Sequence, residues 1–114
     1  MEDATNKPNH VTVTVDPSGT VGCDPNPLPT DGRNVILKFV LITEGYVFPK
    51  EGAVVVTDPG TEFPEPSKTL PPNDTKATLF DRNTGPGDFR YTVTVQKVAT
   101  GELLRHDPMI ENGP

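Results

Sequence analysis

Phe89-Arg90-Tyr91-Thr92-Val93-Thr94-Val95-Gln96 decides how the rest of the chain is read. Phe89, Tyr91, Val93 and Val95 share one parity; Arg90, Thr92, Thr94 and Gln96 share the other. Successive side chains of a strand point to opposite faces, so the stretch predicts a strand with one dry and one wet face. Its β-branched and aromatic residues suit a half-buried pleated surface. The sequence Val98-Ala99-Thr100-Gly101 follows, and then a second apolar run over 103–110, which together predict a hairpin. A four-residue loop with Gly101 left-handed sets Lys97 opposite Glu102, Val95 opposite Leu104, Val93 opposite His106, Tyr91 opposite Pro108 and Phe89 opposite Ile110. Arg105 and Asp107 then lie opposite Thr94 and Thr92 on the wet face. A three-residue loop would bring Arg105 against Val95, and one residue of slip exchanges every side chain between faces, so the longer loop is expected. His106 then leans inward beside Val93 as a hydrogen-bonded structural residue, and Met109 lies on the opposite face.

A lone hairpin is marginal in water, so the rest of the chain must cover its dry face. His10-Val11-Thr12-Val13-Thr14-Val15 alternates as cleanly, and Asp16-Pro17-Ser18-Gly19 turns the chain into a short strand over 20–23. Residues 24–34 carry Pro25, Pro27 and Pro29 and read as an extended loop or an edge, since proline cannot donate to a central ladder. The most apolar run is 35–42, with Val35, Leu37, Phe39 and Leu41 facing the core. Lys38 marks the other parity as outward, yet Ile36, Val40 and Ile42 share it. Three aliphatics on an outer face call for a covering loop or a second subunit. Further short strands are expected over 46–48, over 53–57 with both faces covered, and over 75–80. Residues 58–74 hold five prolines and read as a long crossing loop pegged by Phe63 and Leu70. Residues 81–88 are turn-rich.

The chain has 114 residues, enough for one domain with a modest core. No window of about ten residues joins a helical apolar stripe to freedom from Pro and Gly. The expectation is an all-β protein: a single antiparallel β-sandwich of seven or eight strands over 10–112, preceded by a flexible tail over 1–9. Gly87-Asp88-Phe89-Arg90-Tyr91-Thr92-Val93 resembles the approach to the penultimate strand of immunoglobulin-like and cupredoxin-like sandwiches, which implies a Greek key. The chain as a whole, with its ending Asp107-Pro108-Met109-Ile110-Glu111-Asn112, is similar to small bacterial proteins of unknown function, a likeness that implies no activity.

A formal charge of −6 disfavours nucleic acid and anionic membranes as partners, since both reward clustered Lys and Arg. No run approaches the roughly 18 apolar residues of a membrane span. Residues 1–10 lack the apolar centre of a signal peptide, so the chain reads as cytoplasmic. A secreted chain already stripped of its leader would read the same way. Cys23 is the only cysteine, which excludes an internal disulfide and a multi-thiolate zinc site. It reads as a small buried hydrophobe.

The cupredoxin-like resemblance implies a test for copper, with two His, a Cys and a weak Met as ligands. His10, His106, Cys23 and Met109 supply the inventory in the wrong order, with Cys23 far upstream. The oxygen-rich segments 58–62, 73–74 and 81–83 lack the ligand spacing of a calcium loop and are ordinary turn formers. No triad spacing and no phosphate loop is present. Catalytic, cofactor and metal residues are therefore assigned as none. The reading that remains is a non-enzymatic binding or assembly module, a homo-oligomer or a binder of another protein, using Ile36, Val40 and Ile42. The alternative is a metal-binding or enzymatic protein with an unrecognised loop site.

Overall fold

The structure, a computed structural model, describes residues 8–113. Its eleven strands run β1 (His10–Val15), β2 (Val21–Asp24), β3 (Leu28–Pro29), β4 (Val35–Leu41), β5 (Tyr46–Val47), β6 (Val54–Val56), β7 (Lys68–Leu70), β8 (Lys76–Asp81), β9 (Gly87–Lys97), β10 (Leu103–His106) and β11 (Met109–Asn112). Among the described residues there is no helix. Five strands form one sheet in the order β2-β1-β4-β8-β7. In the second, β9 pairs with β10 and β11, β3 lies outside β11, and β5 and β6 also pair with β9. The two sheets make an all-β sandwich.

The hairpin forms in the expected register. Leu104 pairs with Val95 and His106 with Val93, and Ile110 pairs with Phe89. Gly101 adopts φ +78° and donates its N–H to the Lys97 carbonyl at 2.7 Å, while Lys97 N–H donates to Glu102 O at 2.8 Å. The Thr92 hydroxyl donates to Asp107 Oδ1 at 2.7 Å, on the outer side as expected. Two details differ. Thr94 is buried beside Ala53, whose carbonyl accepts the Thr94 N–H at 2.8 Å. His106 is half-buried, and no hydrogen bond to its ring is found among the described residues.

Strand pairing is not purely antiparallel. β1 runs parallel to β4, and β3 runs parallel to β11. The prolines of 24–34 account for this. After the β1–β2 hairpin, that segment crosses to the other sheet, where Leu28–Pro29 lies along the edge of β11. The chain then returns to the first sheet with β4 pointing the same way as β1. Pro29 has no N–H to give, which is tolerated at an edge. Several strands are two or three residues long, which is why eleven stand where seven or eight were expected.

The core lies between the sheets. From the first come Val11, Val13, Val15, Leu37, Phe39, Leu41 and Leu79, all buried as their parity requires. From the second come Tyr91, Val93, Val95 and Ile110. Phe39 and Tyr91 meet edge to face with ring centroids 5.5 Å apart, a favoured arrangement for aromatic quadrupoles. Val35 and Phe89, expected inside, are half-buried at the margin, with Phe89 against Phe63 at 5.0 Å. Phe63 does peg the crossing segment. Leu70 does not; it belongs to β7 and faces outward, 40% exposed. Val54 and Val56 are buried, but Val55 is 53% exposed, so β6 is covered on one side only. Residues 1–7 of the expected tail lie outside the described residues. Asn9 exchanges hydrogen bonds with Asp31 and gives its carbonyl to the Lys38 N–H.

Candidate interaction surface

Strand parity and sheet register together assemble the outer face of the five-stranded sheet. Lys38 lies between His10 on β1 and Thr78 on β8, and Lys68 on β7 completes that row. The next row runs Asp24, Thr12, Val40, Lys76 and Leu70. Ile36 lies beside Phe80, and Ile42 follows the end of β4, its N–H donating to Val13 O at 3.1 Å. Ile36 is 48% and Ile42 61% exposed, and Val40 is half-buried. No described loop covers Ile36 or Ile42. Val40, Leu70, Lys38, Lys76 and His10 line a shallow depression of about 420 Å³.

Charge on this face runs against the molecule's balance. Its strands turn Lys38, Lys68, Lys76 and His10 outward, and the outward carboxylate among those strand residues is Asp24 at the edge, although the chain carries 16 Asp and Glu against 10 Lys and Arg. Among the described residues the one salt bridge is Lys50–Asp74, at 3.4 Å, with Asp74 in the turn that joins β7 to β8.

Three other places were candidates for chemistry. An apolar groove of about 270 Å³ lies between β6 and the proline-rich segment, lined by Val54, Val56, Phe63 and Leu79. It carries Glu65 and Ser67 as polar groups, and Ser67 Oγ already accepts the Val54 N–H at 3.1 Å.

The second is a polar cluster at one end of the sandwich, which the sequence reading did not find. Asp81 and Asn83 are fully buried and Asn112 nearly so. Asp81 Oδ1 accepts from Asn83 N–H at 2.9 Å and from Asn112 Nδ2 at 3.1 Å. The same Asn112 amide donates to Glu62 Oε2 at 3.3 Å, and Asn83 Nδ2 donates to Gly32 O at 2.7 Å. Burial pushes the Asp81 carboxyl above its usual range, and the charge of Glu62 adds to this. The Thr84 hydroxyl, 2.6 Å from Glu62, holds that carboxyl below its usual range. The cluster ties β8, the crossing segment and the last strand together. Its turn signal, Asp81-Arg82-Asn83, is legible locally, but Asn112 is 31 residues from Asp81 and nothing in sequence links them.

The third is Cys23, half-buried under the second sheet beside Tyr91. Burial raises the thiol pKa to about 11, so it is protonated and inert at neutral pH. The Tyr91 hydroxyl is buried with the weakly hydrogen-bonding Cys23 thiol as its polar neighbour and no stronger partner, and burial, with the thiol beside it, pushes its pKa up as well.

The four residues of the copper inventory are dispersed: His10 on the outer face opposite Lys38, Cys23 on β2, His106 opposite Val93, and Met109 opposite Arg90. Among the described residues no three His, Cys, Asp or Glu converge as metal ligands. Of the residues singled out from sequence, Ile36, Val40 and Ile42 do share one face. No family model matches this chain, and no curated protein matches it.

Proposed function

We propose that the protein is a non-enzymatic binding or assembly module whose working surface is the outer face of the five-stranded sheet, centred on Ile36, Val40 and Ile42. The observation that carries this reading is the exposure of Ile36 and Ile42 on a face where no described loop covers them. A wet face needs none of these aliphatics, and exposed apolar side chains set among polar residues are what a protein partner buries. The immunoglobulin-like or cupredoxin-like character belongs to the same proposal. It rests on the two-sheet sandwich and on the Gly87-Asp88-Phe89-Arg90-Tyr91 approach to β9. Sandwiches of that kind offer sheet faces and loops to other proteins.

The test is amide chemical-shift mapping of the labelled protein, against its own concentration and against short extended peptides of different charge. The expected result is perturbation at Thr12, Ile36, Val40, Ile42 and Phe80. Perturbation confined to the groove beside β6, or none on the sheet face under any condition, would overturn the reading.

A further inference from the structure

The apolar residues of the face do not stand alone, and their neighbours restrict what can cover them. Lys38 precedes Val40 by two residues on β4, Lys76 pairs with Val40 directly, and Lys68 and His10 close the row of Lys38. No carboxylate lies within these rows except Asp24 at the far edge strand. Any partner that seals Ile36, Val40 and Ile42 also takes those ammonium groups partly out of water. A charge left unpaired in an interface is costly, so the partner must bring carboxylates to them. A second copy docked by the same face would bring lysine-bearing rows together with Asp24 as the one carboxylate in the rows of each copy, leaving most of the lysines unpaired. Nucleic acid would satisfy the lysines but not Ile36, Val40 and Ile42, because single strands are held by aromatic platforms and phosphate contacts.

We infer that the face takes an acidic protein segment that presents carboxylates and aliphatic side chains on the same side, at every second residue, the carboxylates on Lys38 and Lys76 and the aliphatics on Ile36, Val40 and Ile42. The depression beside Val40, with Leu70 as its far wall, receives one of those aliphatic groups. The chain's charge of −6 repels such a segment at long range, while the lysines attract it at contact. Salt screens exposed charges within about 8 Å at physiological ionic strength. Added salt therefore weakens the complex chiefly by speeding dissociation, and association gains little from electrostatic steering. This inference rests on the proposed binding face and specifies its ligand.

The experiment titrates the full chain with three probes: a short peptide of repeating Glu-Ser-Leu-Ser, which sets Glu and Leu on one side of an extended chain, its Lys–Leu counterpart and its Gln–Leu counterpart, with a thymidine oligonucleotide as a fourth. Calorimetry gives affinity and amide shifts give location. The Glu–Leu peptide is expected to bind tightest and to shift Ile36, Val40 and Ile42. K38E together with K76E should weaken it about tenfold, while R105E, on the opposite outer face, leaves it within about twofold. Thermal melts establish that both variants are folded; neither site is buried. Equal or tighter binding of the Lys–Leu or Gln–Leu peptide, tighter binding of the oligonucleotide, or no binding of the Glu–Leu peptide overturns the inference. The binding face itself stands if shifts on it are produced by another probe or by self-association, and falls if no probe shifts it.

Discussion

The two outer faces of this sandwich obey different rules. On the six-stranded sheet, β9 turns out Arg90, Thr92 and Gln96, with Arg105 from β10 and Met109 and Glu111 from β11 beside them. Both signs of charge are present, Asp107 accepts from Thr92, and exposed aliphatics occur here too: Val55 beside Thr92, Leu103 beside Gln96 and Val98 at the β9–β10 turn. That is an ordinary solvated face. On the five-stranded sheet the outward set is lysine, histidine, threonine, aliphatic side chains and Phe80, with Asp24 at the edge. Folding alone does not require the second pattern, because the first face shows that the same sandwich is closed without it. A face departing from its counterpart in charge, with its aliphatics set among lysines, is where function is to be sought.

The comparison breaks if the outer aliphatics prove to be structural, and β4 allows the two parities of one strand to be weighed. Phe39→Ala removes a fully buried ring from the contact with Tyr91 and is expected to cost about 3–5 kcal/mol in urea unfolding. Ile42→Ser, on the other parity, should change stability by no more than about 0.5 kcal/mol. A large cost at Ile42 would make the face part of the core.

A second contrast concerns buried polar groups. Tyr91→Phe deletes a buried hydroxyl whose polar neighbour is the weakly hydrogen-bonding Cys23 thiol, so stability should be unchanged or rise by about 1 kcal/mol. A clear loss would mean that the hydroxyl is satisfied in solution.

The third separates charges that serve the fold from those on the proposed binding face. Glu62 is held below its ordinary value by Thr84, so its stabilisation is present above the unfolded value of 4.5 and is lost as pH falls through its folded value. Asp81 is raised by burial, so its ionisation cost is full above its folded value and is relieved as pH falls toward 3.8. Melting temperatures against pH should thus show Glu62→Gln losing its deficit relative to wild type in acid. Asp81→Asn should show the opposite trend, wild type gaining on it in acid. Lys38→Gln and Lys76→Gln should leave the acid-range profile unchanged in shape.

The smallest expected effect is at Cys23. With its thiol pKa near 11, it should react with a disulfide reagent at neutral pH far more slowly in the folded protein than in urea. Equal rates would show that β2 opens readily.

Much of the fold was legible from short-range patterns. Alternation placed Val11, Val13, Val15, Leu37, Phe39 and Val93 inside. The Lys97–Glu102 pair, Gly101 and the cost of burying Arg105 fixed the hairpin register down to Phe89 and Ile110. What depended on distant partners was not legible. The parallel pairing of β1 with β4 follows from where the proline segment goes, and Leu28 is buried because β11 arrives beside it. Asp81 looks like a turn residue until Asn112 closes over it. The candidate surface was half-legible: the parity of β4 exposed Ile36, Val40 and Ile42, but Lys68, Lys76 and Leu70 join them only through the order of β8 and β7.

The most direct test of the account is the unfolding free energy of one triple variant, Ile36→Thr with Val40→Thr and Ile42→Thr, measured by urea titration. Threonine preserves the β-branched shape and matches the residues of the solvated face. If these aliphatics are kept for a partner, the variant should lose no more than about 1.5 kcal/mol in total. A loss of about 4 kcal/mol or more, the scale of a core cavity, would contradict it.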